Sequence, residues 1–521
     1  MKKFEQIIAV FFVGFLLFGC ASVKPVVREA GEPYTLTIVH TNDHHGGIFS
    51  KDGEGGLAER ATFIKFVRQS KENVLLLDAG DINTGSALSN MFYAQPDILA
   101  YNAMKYDAVV FGNHEFDNSL KQLQNQMAIS DFPWLSANIN LGKKDFLGSP
   151  YIVKDFPGFR VGVIGLTTLR TLEISNLDEN LVFTDEIKTA KKYVEFLREK
   201  QKCDVIILLG HLGDVEEAAN QVTSVKLAES VPGIDIIVDG HAHTKMTEPL
   251  VVNGTYIVSA YEKGKVAGIG DLTVVDGKLV DFQWKSEEIT SEKYEPDLEI
   301  LAILEPFVRE AEHQFSKVVV KTSDDFAFGQ KLSRKVETPL GDFVADAQVA
   351  YVENRGFDVD FGFINGGHIR QGLKKGDIKR DDILSMLPFE NYLYVVTLSG
   401  SDVVALFDYI ATINQGAGGF PQVSKEVSYT ITYDEKGMNG EISDILINGE
   451  KIDLGKNYKI AVTDYLADGG DGYEVLTKSV DTFNTSMLIS DVVVEYAKSF
   501  EATVTPTTDG RITIIGGIDI Y

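Results

Sequence analysis

The chain has 521 residues, of which 44% are apolar and 24% are charged, and its formal net charge is −27. This length exceeds that of one ordinary domain, so we expect two folded units, each with its own hydrophobic core. The acidic balance argues against a nucleic-acid polymer as a partner, because such binding depends on clustered lysine and arginine, but it allows a small anionic substrate held by bound cations.

The N-terminus has the layout of a bacterial lipoprotein signal peptide. Two lysines precede a short apolar run at residues 7–18, and Cys20 follows at the position that would be lipidated. We therefore predict a signal peptide over residues 1–19 and a tether over 20–33. The protein is then exported and contacts a bacterial membrane through the lipid alone. A plain secretory signal or an uncleaved anchor is the alternative, because Phe18 is bulkier than the residue usual at that position.

The next segment predicts an α/β domain over residues 34–285. Two stretches, 57–69 and 184–200, have a helical pattern of apolar residues. Apolar runs typical of buried strands lie at residues 35–39, 74–77, 108–111, 161–164, 205–209 and 234–238. Ligands in such folds gather at the carboxyl ends of the strands. Side chains that follow these strands are therefore expected to converge.

A mostly polar helical stretch at residues 286–316 separates this domain from the rest of the chain. We predict a connector over residues 286–324 and a second domain of α+β character over 325–521. In this second domain, residues 342–353 have a helical pattern. Strand-like runs lie at 359–364, 392–398, 427–433 and 458–462.

Short polar clusters follow most of the strands predicted in the first domain. They contain Asp43, His44, His45, Asp81, Asn113, His114, His211, His241 and His243. Aspartate, asparagine and histidine are ligand types that suit a borderline or hard divalent cation, and most of the nine histidines of the chain fall in or beside these clusters. The sequence therefore predicts a two-metal hydrolase.

The order and spacing of these clusters resemble those of the calcineurin-like metallophosphoesterases. The motifs are His-Thr-Asn-Asp-His-His-Gly at 40–46, Gly-Asp at 80–81, Gly-Asn-His-Glu-Phe-Asp at 112–117, Gly-His at 210–211 and Gly-His-Ala-His-Thr at 240–244. The second half is similar to the C-terminal domain of 5′-nucleotidase/UDP-sugar hydrolase enzymes. Its motifs are Asn-Gly-Gly-His-Ile-Arg at 365–370, Leu-Pro-Phe at 387–389, Gly-Gly-Phe-Pro-Gln at 418–422 and Asp-Tyr-Leu-Ala-Asp-Gly-Gly-Asp-Gly-Tyr at 464–473. This resemblance implies a four-layer α/β/β/α sandwich, a connector helix and a C-terminal α+β substrate-binding domain.

The resemblance also implies two divalent metal ions, with zinc, manganese and cobalt as candidates. One ion would be held by Asp43, His45, Asp81 and His243, and the other by Asp81, Asn113, His211 and His241. A carboxylate such as Asp81 is a natural bridge, and two cations in this arrangement activate water for in-line attack on phosphorus. His114 is expected to stabilise charge on the reacting phosphoryl group, with Asp117 orienting its ring. His44 is expected to face away from the metals and to tolerate replacement by alanine.

The second domain is expected to bind the substrate. By the resemblance, Arg334 and Arg370 contact phosphate or a similar anionic group, and Asn365 lies near them. Guanidinium groups suit this task because they bind phosphate oxygens in pairs. The loop departs from the family pattern at His368, which stands where a third glycine is expected.

Two aromatic residues are expected to sandwich the nucleobase. The resemblance places Phe389 and Tyr465 at these positions, and Asp471 at the position that accepts hydrogen bonds from the ribose hydroxyls. Tyr465 stands where the family has phenylalanine, which preserves stacking and adds a hydroxyl group.

These features predict an exported phosphohydrolase that releases phosphate from nucleoside 5′-monophosphates for nucleotide salvage. The same reacting centre would serve UDP-sugars, dinucleotides or 2′,3′-cyclic nucleotides. A catalytically silent nucleotide-binding lipoprotein and a surface adhesion protein are further alternatives, although the intact pair of His114 and Asp117 argues against the silent form. The sequence gives no basis for inferring a protein partner.

Overall fold

The structure is a computed structural model that describes residues 25–142, 145–174, 177–216, 221–327, 332–389, 391–438 and 440–518. The predicted signal peptide and Cys20 lie outside the described residues. In the described part of the chain, no helix combines the length and the apolar character needed to cross a membrane.

The N-terminal domain alternates strands and helices along the chain. Its strands are β1 (Pro33–Thr41), β2 (Val74–Asp78), β3 (Ala108–Val110), β4 (Trp134–Leu135), β5 (Ile139–Leu141), β6 (Asp145–Phe146), β7 (Tyr151–Phe156), β8 (Phe159–Thr167), β9 (Leu181–Phe183), β10 (Val205–His211), β11 (Ile236–Val238), β12 (Leu250–Val252), β13 (Thr255–Val258), β14 (Val266–Val275) and β15 (Lys278–Glu288). Its helices are α1 (Leu57–Ser70), α2 (Ala87–Met91), α3 (Gln95–Met104), α4 (Leu120–Ile129), α5 (Thr171–Ile174), α6 (Glu186–Glu199) and α7 (Ser224–Ser230).

Two six-stranded sheets form the centre of this domain. Their strand orders are β15-β14-β1-β2-β3-β4 and β12-β13-β11-β10-β8-β7. Successive side chains of a strand point to opposite faces. Accordingly, Ile38 of β1 lies in the core shared by the two sheets, whereas Val39 packs in the cluster that contains α1 and α3. Helix α6 covers β8 and β10. The predicted four-layer α/β/β/α sandwich is confirmed.

The inner strands of both sheets run parallel and end at one edge of the domain. Strands β1, β2 and β3 are parallel neighbours, and so are β8, β10 and β11. The polar clusters of the sequence follow the carboxyl ends of β1, β2, β3, β10 and β11. The fold therefore gathers them at one place between the two sheets.

The segment between the domains differs from the predicted connector at both ends. Residues 286–288 belong to β15, and helix α8 (Leu298–Phe315) begins after Asp297, whose side chain accepts hydrogen bonds from two backbone N–H groups of the first turn. Pro306 lies inside this helix rather than ending it. Helix α8 packs on α1, α2 and α3, so it forms part of the helical layer of the N-terminal domain.

The C-terminal domain is α+β, as the sequence predicts. Its strands are β16 (Val318–Thr322), β17 (Phe361–Asn365), β18 (Gly376–Lys379), β19 (Tyr392–Ser399), β20 (Pro421–Val423), β21 (Val427–Tyr433), β22 (Glu441–Ile447), β23 (Asn457–Thr463), β24 (Thr482–Leu488) and β25 (Ile512–Gly516). Its helices are α9 (Pro339–Glu353), α10 (Arg380–Met386), α11 (Gly400–Thr412), α12 (Asp464–Ala467) and α13 (Ile489–Lys498).

A five-stranded sheet of order β20-β17-β23-β19-β24 is the core of this domain. Helices α9 and α13 pack in one apolar cluster with this sheet, and α11 packs in the other. Strand β16 pairs with β18, so residues 318–322 already belong to this domain rather than to a connector.

Candidate active site

The side chains predicted as metal ligands converge at the shared edge of the two sheets. Their donor atoms form overlapping groups in which all atoms lie within 4.8 Å of one another. One group joins Asp43, His45 and His243, and another joins Asp81, His211 and His241. Asn113 completes the second group, because its Oδ1 lies 2.8 Å from His241 Nδ1 and 3.2 Å from His211 Nε2.

The spacing of the donor atoms fits bound cations. His211 Nε2 lies 3.0 Å from Asp81 Oδ2, and the Nε2 atoms of His45 and His243 are 3.0 Å apart. Donor atoms that share one ion at about 2.1 Å lie roughly 3–3.5 Å apart. Asp81 Oδ2 also lies 3.8 Å from His45 Nε2, so this carboxylate stands between the two groups. The residues thus fit a pair of ions with Asp81 shared.

The charges of the cluster also call for cations. Asp43 and Asp81 are buried together, and this burial with the nearby charge of Asp81 raises the pKa of Asp43 well above its usual value. Two buried carboxylates in contact are unfavourable unless positive charge compensates them. A divalent ion placed between these donors would provide that compensation.

Carbonyl and carboxylate groups behind the cluster orient the imidazole rings. His45 donates from Nδ1 to the carbonyl of Thr84 at 2.9 Å, and His211 donates from Nδ1 to the carbonyl of Ala79 at 2.7 Å. His243 Nδ1 lies 3.3 Å from Glu262 Oε2. Such contacts fix the tautomer and leave Nε2 directed at the metal position.

The backbone at the candidate ligands is strained. Five of the seven have a positive φ, namely Asp43 (49°), His45 (43°), Asp81 (56°), His241 (84°) and His243 (51°). This left-handed conformation is uncommon for residues other than glycine and is concentrated at functional sites. Gly112 is required nearby, because a Cβ there would lie 2.1 Å from Asp81 Oδ1.

Glu115 is a supporting residue that the sequence analysis missed. Its fully buried carboxylate accepts four backbone hydrogen bonds, from the N–H groups of Asp81 and Gly112 to Oε2 and from those of Ile82 and Asn83 to Oε1. Burial and the charge of Asp81 raise the pKa of Glu115 to about 8, although the four N–H groups favour the carboxylate. Its place two residues before Asp117 is the only signal that the sequence offers.

His44 faces away from the metal ligands, as predicted, and it makes two buried hydrogen bonds. It is fully buried, and its Nδ1 accepts a hydrogen bond of 2.7 Å from Arg60 while Nε2 donates to Asp97 at 2.9 Å. Burial and the charge of Arg60 lower the pKa of His44 to about 4, so the ring is neutral. These contacts argue against the expectation that alanine is tolerated here, because the substitution would remove a partner from each of two buried side chains.

His114 and Asp117 form the predicted pair. His114 Nδ1 donates to Asp117 Oδ2 at 2.6 Å. Burial opposes the charged ring, but the neighbouring carboxylates of Asp117 and Asp81 outweigh it and raise the pKa of His114 to about 9. The other ring nitrogen, Nε2, lies 3.1 Å from the hydroxyl of Ser486 in the C-terminal domain.

The residues predicted to bind substrate form two groups of contacts within the C-terminal domain. Asp471 accepts hydrogen bonds from Asn365 at 2.8 Å and from the hydroxyl of Tyr465 at 3.0 Å. Arg334 and Asp471 both lie against Gly418. A Cβ atom built on this glycine would be 3.8 Å from Arg334 Nη1 and 3.7 Å from Asp471 Oδ2.

Phe389 is the centre of the second of these two groups. The ring of His368 meets it edge to face at 5.4 Å between centroids, and the guanidinium of Arg370 lies 5.5 Å from its centroid. Phe389 and Tyr465 are each 44% exposed, an exposure that leaves their rings open to a planar ligand.

The cavity beside the metal ligands, of about 360 Å³, joins the two domains. The C-terminal residues that line it are Tyr394, Ser479, Asp481, Thr482, Phe483 and Asn484. None of the six predicted substrate residues lines this cavity. The structure thus assembles the metal centre and the substrate group separately and holds them in different places.

A histidine-rich centre at the carboxyl ends of two packed parallel sheets, with a His–Asp pair beside it, is the arrangement of a metal-dependent phosphoric ester hydrolase. The calcineurin-like phosphoesterase family matches residues 36–245, and the 5′-nucleotidase C-terminal domain matches residues 318–478. The chain is 33% identical to a 5′-nucleotidase of Vibrio cholerae over 93% of its own length and 94% of the relative. It belongs to the 5′-nucleotidase family.

Solved structures agree with this assignment. A 5′-nucleotidase precursor from Thermus thermophilus is 28% identical, with a TM-score of 0.56 over 92% of this chain and 99% of its own. The NAD nucleotidase of Haemophilus influenzae is 21% identical and has the same two-domain fold, with a TM-score of 0.78 over 94% of this chain and 100% of its own.

Proposed function

We propose that the protein releases phosphate from nucleoside 5′-monophosphates. The observation that carries this proposal is that the two groups around Asp471 and Phe389 give the C-terminal domain three kinds of side chain. Guanidinium groups suit a phosphate, exposed aromatic rings suit a base, and a carboxylate suits ribose hydroxyls. A nucleotide is the small molecule that needs all three.

We further propose two divalent ions, with zinc, manganese and cobalt as candidates. Asp43, His45, Asp81 and His243 would hold one ion, and Asp81, Asn113, His211 and His241 the other. When bound, such a pair supplies an activated water nucleophile and neutralises charge on the phosphoryl group. The shared position of Asp81 and the donor spacing near 3 Å support this division.

His114 acts on the phosphoryl group from beside this centre. Asp117 accepts a hydrogen bond from Nδ1 of His114, so Nε2 is the ring atom directed at the cavity. The carboxylate of Asp117 raises the pKa of His114 and favours the protonated ring, whose Nε2 proton would stabilise charge as it develops on the oxygen of the leaving group.

The C-terminal domain selects the substrate. Arg334 and Arg370 bind its anionic group, and Phe389 and Tyr465 stack on the base. Stacking of this kind contributes about 1–3 kcal/mol per base and tolerates different bases. Because the substrate group lies apart from the metal centre in the structure, we propose that the domains change their relative orientation to bring the two together.

The experiment that tests this proposal compares two substrates in the metal-loaded protein. Phe389→Ala should raise KM for AMP and leave the hydrolysis of a small aryl phosphate unchanged, because the aryl ester has no base to stack. Phe66→Ala is the matched control, since Phe66 is an exposed phenylalanine on α1. Equal impairment of both substrates would overturn the assignment of the C-terminal domain. UDP-glucose, NAD and 2′,3′-cAMP, each with and without chelator, would rank the alternative substrates.

We also propose that the protein is exported and anchored by a lipid on Cys20. The layout of residues 1–20 supports this proposal. Cys20→Ser should release the protein from the membrane fraction of the producing cells. Unchanged membrane association of this variant would point to another anchor.

A further inference from the structure

Strand β24 of the C-terminal domain carries a bulge at Ser486. The pairing of β24 with β19 shifts register between Tyr392 and Tyr394, and Ser486 has a φ of 50° in the middle of the strand. Side chains hold this shape, because Asn484 Oδ1 accepts the N–H of Ser486 at 2.7 Å and Thr485 Oγ1 donates to the carbonyl of Leu393 at 2.7 Å. A bulge of this kind redirects a side chain, and here it directs Ser486 at the other domain.

Ser486 reaches His114 of the N-terminal domain. Its hydroxyl lies 3.1 Å from His114 Nε2, and the residue is only 3% exposed although it belongs to a different domain. Further contacts cross the same boundary. Arg170 pairs with Asp481 of the C-terminal domain, and the ammonium group of Lys263 lies 4.4 Å from the ring centroid of Tyr392.

The contact is narrow, because cavities flank it on both sides. The cavity of about 360 Å³ beside the metal ligands includes Phe483 and Asn484, and a second cavity of about 460 Å³ includes Asp117 and Met487. Ser486 lies between these two segments of β24. The hydrogen bond between Ser486 and His114 thus lies between two open spaces, and an oxygen of the substrate can replace the serine hydroxyl there.

The atom that Ser486 occupies is the one that the reaction needs. Nδ1 of His114 is committed to Asp117, so Nε2 is the only ring nitrogen that can meet an oxygen of the substrate. The serine hydroxyl is itself an oxygen at hydrogen-bond distance from Nε2, where the substrate oxygen must come.

We propose that Ser486 is a removable cap on His114, and that the pair of Arg170 and Asp481 holds the domain orientation in which the cap is on. This inference rests on the proposed role of His114. The cap occupies Nε2 in the resting orientation, and a substrate must displace it before His114 can act. Ser486 is therefore a positioning residue that competes with every phosphoester, whatever group the ester carries.

The cap lowers the apparent affinity for substrate by the fraction of molecules that are uncapped. A hydrogen bond of this kind changes such an equilibrium by about two- to tenfold. Ser486→Ala should therefore lower KM by about two- to tenfold for AMP and for an aryl phosphate alike, with kcat unchanged. Inorganic phosphate should inhibit the variant at concentrations lower by the same factor.

Companion variants keep the test decisive. Ser486→Gly removes the hydroxyl and adopts a positive φ without strain, so it replaces the alanine variant if that protein fails to fold. Asp481→Asn should lower KM in the same direction, because it weakens the pair with Arg170. Ser443→Ala, at an exposed serine of the same domain, is the control and should change nothing. Amide hydrogen exchange of residues 482–488 should be faster in the Ser486 and Asp481 variants.

A fall in kcat at constant KM would overturn the cap, since Ser486 would then assist His114. Unchanged kinetics in both Ser486 variants would overturn it as well. If AMP is not hydrolysed but the aryl ester shows the gain, the proposed nucleotidase function fails and the cap stands. If AMP is hydrolysed but neither Ser486 variant lowers KM, the nucleotidase function stands and the cap fails.

Discussion

Glu115 offers the sharpest test of how the metal centre is supported. Its carboxylate accepts four backbone N–H groups, two on each oxygen, and it is fully buried. In Glu115→Gln, one oxygen becomes an NH2 group that faces two N–H donors. Two of the four hydrogen bonds are then lost, and each buried N–H group left without a partner costs about 1–3 kcal/mol. The expected cost is about 2–6 kcal/mol, a large part of the 5–15 kcal/mol that stabilises a typical domain.

The lost hydrogen bonds are ones that hold the loop that carries Asp81. Because Asp81 stands between both groups of donors, we expect Glu115→Gln to lower the unfolding temperature and to weaken both metal sites together. Mass spectrometry of the metal content and thermal unfolding would measure the two effects. Glu186→Gln is the matched control, since Glu186 is also buried in this domain but its Oε1 accepts the N–H of Leu169, outside the loop that carries Asp81. A Glu115→Gln protein with two tightly held ions and unchanged stability would refute the reasoning.

Three further substitutions test separate parts of the molecule. His114→Asn should lower kcat by about 10²–10⁴-fold while the metals stay bound, and unchanged kcat would exclude the proposed role. His44→Ala should lower the unfolding temperature markedly, because Arg60 and Asp97 each lose a buried partner; a neutral effect in thermal unfolding would contradict this. Asp342→Asn should stabilise the protein more at pH 9 than at pH 5. Burial first, with Glu337 and Asp509 nearby, raises the pKa of Asp342 from 3.8 to about 8 against the pull of Arg511, so the folded state loses stability as pH rises through this range. Equal gains in unfolding temperature at both pH values would argue against the shift.

The sequence predicted the sheets and the convergence of the polar clusters, because both depend on local patterns. Each strand of the N-terminal core is a short apolar run, and the candidate ligands lie at the ends of these runs or within a few residues of them. Parallel strands bring their carboxyl ends to one edge of the sheet, so polar clusters that are far apart in the sequence lie close together in the fold. The orientation of His44 away from the metals was predicted by the same logic.

Contacts between distant segments escaped the sequence analysis. His44 binds Arg60 and Asp97, and no local pattern marks these partners. Ser486 and His114 are separated by 372 positions in the chain. The start of the connector was misplaced for another reason. Strand β15 is exposed along most of its length, and its polar end looks like the beginning of a surface helix.

The strained backbone of the metal centre explains why the ligand types and the fold agree so closely there. Asparagine, aspartate and histidine adopt a positive φ more readily than most residues, and they are also the side chains that bind divalent ions. The turns at Asp43 and His45 are fixed from outside, by hydrogen bonds of their N–H groups to the carbonyls of Gly80 and Asp81 at 2.9 Å. The strain and the repulsion between Asp43 and Asp81 are present before any ion binds. Bound cations would offset both costs at once, and we infer that metal binding and the stability of this edge of the domain are one property rather than two.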